Sequence, residues 1–237
     1  MKIELLQVGC TKDIFLAKSH YCSNEARSIR NIFYVDKPHN YQELNKWYCE
    51  LTAYMNFIEE TEADIIGCEH YRTGFFMENT MNMLGSDEIL NYMNKYDILL
   101  GKWDYEGRKH GKSLSMNFDK WTEGDAKTFF SCMQEYDKGF SEYLKSYIKP
   151  SGGWHAACNC FISKKEIYIR YWNWLLGFLK FYDEMSPLSE NNLRRDGWVA
   201  EVVQGAWFVY YGYNIKFGRI VKFFKGLNGM IQQTSPE

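Results

Sequence analysis

Ala63-Asp64-Ile65-Ile66-Gly67-Cys68 is a largely apolar run of strand length that stops abruptly at Glu69-His70-Tyr71-Arg72-Thr73. A short continuous apolar run is the pattern of a strand buried on both faces, and such strands belong mainly to α/β sheets. The C-terminal ends of these strands are where ligands bind. An acid, an imidazole, a phenol and a guanidinium at that point are hard to explain as packing. A second cluster, Trp47-Tyr48-Cys49-Glu50-Leu51-Thr52, lies shortly before it in a helical pattern. Together they read as a ligand-binding enzyme.

The rest of the chain alternates in the same way. Ile3 to Gly9 reads as a first strand, left through Gly9-Cys10-Thr11-Lys12, and Asn31 to Val35 as a short one. Asn40-Tyr41-Gln42-Glu43 has the form of an N-cap with a capping-box acid. The helix expected after it buries Leu44, Trp47, Tyr48, Leu51, Tyr54, Met55 and Ile58. Asp97 to Gly101 and Cys158 to Ile162 are two more short strands. Residues 104–120 are rich in Gly, Lys and Asp and read as a loop, and Pro150-Ser151-Gly152-Gly153 as a break. Helices are expected over 125–145, 164–183 and 197–211, and a last strand over 214–217. No repeat or linker divides the chain, so residues 1–237 read as a single α/β domain.

Charge and cysteine use exclude several classes. The net charge of −2 gives no reason to expect nucleic acid as a partner. Seven cysteines, an odd number without a C-x-x-C, read as reduced thiols of a cytoplasmic protein. No uncharged run approaches the roughly 18 residues that span a bilayer. Aromatics reach 18% of residues, which serves either a large core or the flat faces of sugars. From Lys216 to Ile231, basic residues (Lys216, Arg219, Lys222, Lys225) alternate with Phe217, Ile220, Phe223, Phe224, Leu227 and Ile231. At helical spacing that segment would either dock on a membrane surface or pack on the core.

The motifs Tyr48-Cys49-Glu50-Leu51-Thr52-Ala53-Tyr54 and Ala63 to Arg72 resemble those of small bacterial glycosyltransferases from capsular and exopolysaccharide loci, a family long catalogued as a domain of unknown function. The paired E-L-T and H-Y-R motifs carry the resemblance. Leu6-Gln7-Val8-Gly9, Asp97 to Leu100, Cys160 to Glu166 with Tyr171 to Leu176, and Arg194 to Trp207 are similar to its other blocks, in order. Thr73 stands where the family has a second arginine, and Val202 where it often has one. The resemblance implies a GT-A-like nucleotide-sugar-binding fold with a mixed central sheet flanked by helices. It implies transfer of a hexosyl group, galactose or galactofuranose, from a UDP-linked donor to a growing surface glycan, lipid-linked or free. Such an enzyme would be cytoplasmic, or peripheral on the inner face of the membrane. The alternative is a non-catalytic carbohydrate-binding or assembly subunit.

Glycosyl transfer needs positive charge at a departing diphosphate, and a base if the sugar inverts. No D-x-D follows the strand at 63–68. His70 and Arg72 are therefore expected to contact the diphosphate or the sugar, because Arg binds phosphate oxygens bidentately and His donates or accepts. Asp196 or Glu201 is the expected base, with an N-cap as the plainer role for Asp196. Gln7, Gly9, Thr11, Glu69, Tyr71, Lys102, Trp154, His155, Asn159, Arg194 and Arg195 are expected around donor and acceptor. Glu50 is a sugar ligand, an orienting acid paired with Arg72 or His70, or an exposed helix residue. No cofactor is required by these motifs. If Mg²⁺ or Mn²⁺ takes part, Glu69, Asp104 and Glu106 are its candidate ligands.

Overall fold

The computed structural model describes residues 1–13, 15–103, 122, 125–149, 155–226 and 229–234. In chain order the elements are β1 (Ile3–Gly9), α1 (Asn24–Ser28), β2 (Arg30–Tyr34), α2 (Asn45–Tyr48), α3 (Leu51–Glu60), β3 (Ile65–His70), β4 (Thr73–Phe75), α4 (Ser86–Met93) and β5 (Ile98–Trp103). They continue with α5 (Ala126–Tyr136), α6 (Lys138–Tyr147), β6 (His155–Lys164), α7 (Lys165–Met185), α8 (Arg195–Tyr210), β7 (Ile215–Gly226) and β8 (Gly229–Thr234).

The strands form one mixed sheet. β1 pairs parallel with β2 and β3, and β3 pairs antiparallel with β6. β6 pairs antiparallel with β5, which is parallel to β7. Thus β1, β2, β3, β5 and β7 run one way and β6 runs against them. Their C-terminal ends share one edge, which the N-terminal end of β6 also reaches. β4 and β8 add antiparallel to β7.

Alternation along the strands builds two cores. Leu6, Val8, Ile66, Cys68, Leu100 and Phe161 face one layer, with α3, α5, α6, α7 and α8. Ile3, Leu5, Ile65, Leu99 and Ile162 face the other, with Ile89 and Met93 of α4. Most of the aromatic surplus is core. Tyr168, Tyr171, Trp172, Phe178 and Tyr182 lie along the buried side of α7, and Trp207 of α8 packs against Tyr171. Among the described residues no helix is long and apolar enough to cross a membrane.

Three expected elements differ. The helix expected after residue 40 is broken. Tyr41 makes no side-chain cap, and the chain turns at Cys49 (φ 51°) between α2 and α3. The helix expected over 125–145 divides at Asp137, whose side chain accepts from the Phe140 N–H at 3.0 Å. The helical stripe read over 216–231 does not form, because those residues lie largely in β7 and β8, where side chains alternate every second residue. Lys216 is paired with Glu78 at 2.8 Å, and Arg219 donates to the carbonyls of Met77 (3.1 Å) and Thr80 (2.7 Å). β4, α1, α4 and β8 were not expected.

A polar knot lies within the α4 layer. The Arg30 guanidinium of β2 grips Glu69 of β3 with two bonds, Nε at 2.9 Å and Nη2 at 3.0 Å, and both side chains are fully buried. Glu69 also accepts from the Phe75 N–H (3.1 Å) and from Gln7 Nε2 on β1 (3.4 Å). Arg30 Nη1 donates to the carbonyls of Ala26 (2.6 Å) and Leu84 (2.9 Å). Removing one partner strands the other charge out of water. Arg30→Met should therefore destabilise the fold by about 3–5 kcal/mol, read from urea unfolding. Adding Glu69→Gln should recover part of that loss, and no recovery would show that the pair is not the source.

Candidate active site

β3 delivers His70, Tyr71 and Arg72 to the C-terminal edge, all partly buried. Tyr71 is the spacer between the other two. Its ring centroid is 4.3 Å from that of His70, and the Arg72 guanidinium lies 5.4 Å over it. The Tyr71 N–H donates to Val8 O at 2.7 Å, so the end of β1 fixes this turn. Gly9 makes room for it: a Cβ there would lie 2.7 Å from Tyr71 Cβ. Gly9 is thus required by a neighbouring side chain, where the sequence reading expected ligand contact.

A second group of residues gathers behind this edge. Cys49 (φ 51°), Asn159 (φ 54°) and Arg194 (φ 66°) are the non-glycine residues with positive φ among the described ones. Each left-handed residue costs about 1–3 kcal/mol, and such strain concentrates at functional sites. Here all three converge. Arg194 Nε lies 3.4 Å from Cys49 Sγ, and Asn159 Nδ2 donates to Glu50 Oε1 at 2.9 Å and to Gly197 O at 3.2 Å. Gly197 is needed because a Cβ there would meet Cys49 at 3.0 Å.

Glu50 is therefore paired with Asn159, where the sequence reading named Arg72 or His70 as the partner. Burial pushes its carboxyl above the usual range, while the Asn159 bond and the Arg194 charge pull it back. Burial, then the Glu50 charge, push the Cys49 thiol up to about 12. Arg194 is exposed and lies 5.4 Å over the ring of Trp198. The charge of Glu201 acts on both Arg194 and Cys49. Trp198 and Cys49 were missed as site residues. The spacing 194, 198, 201 signals one helix face, but nothing about a cysteine signals a left-handed backbone.

Several expected residues do other work. Glu69 is not placed to bind metal or sugar, because Arg30 takes both of its oxygens. Gln7 is fully buried and bridges Glu69 to the Ala17 N–H (2.8 Å). Thr11 gives its N–H (2.8 Å) and hydroxyl (2.6 Å) to Asp36, an exposed acid at this edge that sequence reasoning missed. Arg195 is fully buried. It pairs with Asp183, donates to Ser186 O at 2.7 Å and lies 4.2 Å over the Tyr182 ring, so it fastens α8 to α7 instead of meeting ligand. Arg194 is the cap residue of α8, and Asp196 lies inside its first turn. Only the backbone is described for Lys102 and His155, which lie at the ends of β5 and β6 on this edge. Asp104, Glu106 and Trp154 lie outside the described residues. Among the described residues no three His, Cys, Asp or Glu side chains converge as metal ligands.

The model of one protein family, Domain of unknown function (DUF4422), matches residues 6–211 of the 237. The chain belongs to this family. No curated protein matches it. Among solved structures, the apo structure of the WbbM bifunctional glycosyltransferase is similar, with a TM-score of 0.70 at 18% identity. The match covers 95% of this chain and 47% of that one, so the chain spans about half the length of that protein. At this identity the likeness is one of fold: a mixed sheet with flanking helices, shared with a glycosyltransferase.

In this DUF4422 chain Asp196 is the most isolated acid of the site. It is fully buried, Arg195 Nε reaches its Oδ1 at 2.9 Å, and its Oδ2 has no hydrogen-bond partner. Burial raises its carboxyl to about 7, against the pull of Arg195 and with a push from Asp183. Tyr48, bonded to Asp183 at 2.7 Å, faces the same place from α2. A raised carboxyl means that the folded state holds a proton the unfolded chain has released. Stability should therefore fall as pH rises from about 4 to about 7, by at most roughly 1.4 kcal/mol per pH unit. Asp196→Asn should make this decline shallower in a thermal-melting series over that range, and an unchanged slope would assign it to other raised carboxyls such as Glu50 and Asp183.

Proposed function

We propose that this chain is a glycosyltransferase domain of GT-A-like fold, moving a hexosyl group from a UDP-linked sugar to a growing surface glycan. The single observation that carries the reading is the placement of His70, Tyr71 and Arg72 at the C-terminal edge of the parallel strands, on the sheet whose β6 holds Glu50 through Asn159. The pairing of the parallel strands β2, β1 and β3 to β5 and β7 through the reversed β6 supports a GT-A-like assignment. So does the shared fold with a glycosyltransferase.

In this reading His70 and Arg72 hold the donor diphosphate and stabilise the charge it gains on leaving. Tyr71 keeps the two side chains at fixed spacing. Galactose, as pyranose or furanose, is the proposed sugar, and a lipid-linked glycan the proposed acceptor, met on the cytoplasmic side of the membrane. If a divalent ion assists at the diphosphate, Asp104 and Glu106 are the ligands to test.

A panel of UDP-sugars tests the reading by thermal shift and by UDP release. A true donor stabilises the fold by mass action. Stabilisation without UDP release would mark a binding module instead. Arg72→Ala should keep its melting temperature and lose about 10²–10³-fold in kcat, as when one transition-state donor is removed. Arg72→Lys should fall between, since the bidentate geometry is lost. A folded Arg72→Ala variant with unchanged kcat would refute the role.

A further inference from the structure

We propose that Glu50 is the base that takes the proton from the attacking acceptor hydroxyl, and that Asn159 positions it. The assignment rests on the glycosyltransferase reading above and replaces both acids first expected in that role. Asp196 is fully buried in the first turn of α8 against Arg195, and the half-buried Glu201 has its charge set against Arg194.

The geometry begins with the break in the helix. Cys49 turns the chain, so Glu50 sits ahead of α3 instead of along its side. Its carboxyl comes to the sheet. The charge of Glu50 acts on Cys68 of β3 and on Tyr54 of α3, and Arg194 acts on it from the start of α8. Cys49 neighbours it in sequence, and Glu201 acts on that thiol and on Arg194. His70 ends the strand that carries Cys68. The last β3–β6 pair is Cys68 with Phe161, and His70 and Asn159 each lie two residues beyond it in the same direction. There β3 turns into β4 through the His70–Thr73 pair, so His70 and Asn159 both lie past the point where β3 and β6 part, toward the C-terminal edge.

Asn159 is built to hold that carboxyl. It adopts a left-handed backbone inside β6, where the register with β5 slips between Leu100 and Lys102. A strand residue takes this conformation at a cost, so something must hold it there. Its side chain bridges two acceptors, Glu50 Oε1 and Gly197 O. Both being acceptors, the amide nitrogen must face them, which fixes the side-chain orientation. Oε1 is therefore occupied in either charge state, and Oε2 is the atom left to exchange a proton. Glu50 keeps 9% of its surface exposed. Burial outweighs the hydrogen bonds from Asn159 and from its own backbone N–H and gives a carboxylate more basic than one in water, as proton abstraction requires.

The step balances as follows. Glu50 Oε2 takes the hydroxyl proton while the acceptor oxygen forms its bond to the anomeric carbon of the donor. The bond from that carbon to the diphosphate oxygen breaks, and its electron pair leaves with the nucleoside diphosphate. One displacement of this kind inverts the anomeric carbon.

The test uses the full chain with UDP-galactopyranose and UDP-galactofuranose as donors and octyl α- and β-galactosides as acceptors. Glu50→Gln keeps the shape and the Asn159 bond, so it should retain the donor-induced thermal shift and lose at least about 10³-fold in kcat. Asn159→Gly suits the left-handed backbone and removes the amide together with its Cβ. It should lower kcat about tenfold and move the acid limb of the pH–rate profile to higher pH, because the lost hydrogen bond favoured the ionised carboxylate. Transfer by the wild type with Glu50→Gln within tenfold of it, or a product that retains the donor configuration, overturns the base while leaving the glycosyltransferase reading intact. An unmoved acid limb in Asn159→Gly overturns the positioning role. If the wild type transfers to neither acceptor and releases no UDP, the reading itself falls and the base with it.

Discussion

A guanidinium and a carboxylate taken wholly out of water must satisfy one another, and every remaining hydrogen atom and lone pair must find a partner. Arg30 and Glu69 meet that demand by recruiting Gln7, the Phe75 N–H and the carbonyls of Ala26 and Leu84. The partners come from β1, β2, β3, β4 and the segments around α1 and α4. One knot thus sets the mutual position of three parallel strands and the turn that follows the third. His70, Tyr71 and Arg72 are that turn's neighbours, and their placement follows from where Glu69 is held. A pair like this adds little net stability over a well-packed apolar substitute, but it tolerates few alternative registers, because a slip by one residue would strand both charges.

The opposite layer solves a different problem. An uninterrupted helix from residue 45 to 60 would have carried Glu50 around its flank. The left-handed turn at Cys49 ends α2 early and turns the acid toward the sheet. Arg194 makes a comparable turn before α8, and the two turns touch through Cys49 Sγ and the Arg194 guanidinium. Asn159 joins both helix starts to β6. The strained residues hold one another, which is how a sparsely populated backbone persists.

Much of the scaffold was legible because apolar runs and helical spacing are local signals. β1 was read to the residue, and β3, β5, β6, α7 and α8 to within a few. β4 and β8 escaped because a three-residue strand and a hairpin close to the terminus carry little period, and α4 because it spans only Ser86–Met93, too short for its apolar spacing to stand out. The site was legible in part. Glu50, His70, Arg72, Asn159 and Arg194 could be singled out, since polar groups at strand ends and within apolar strands demand an explanation. Their pairing could not. Arg30 sits at the start of a weak strand, nothing local links it to an acid 39 residues away, and yet it takes Glu69 from any ligand.

By itself, the sequence determined the α/β layering, the strand that ends in His70-Tyr71-Arg72 and the presence of a charged cluster around Glu50, because each rests on neighbours within a few residues. The tertiary structure decided which charges are consumed in the core and which remain at the edge. Arg195 and Arg194 are adjacent, yet one is sealed against Asp183 and Tyr182 and the other is exposed over Trp198. Desolvation and hydrogen bonding depend on groups brought together from distant parts of the chain, and so residue type alone did not tell an ion consumed in the core from one left at the edge.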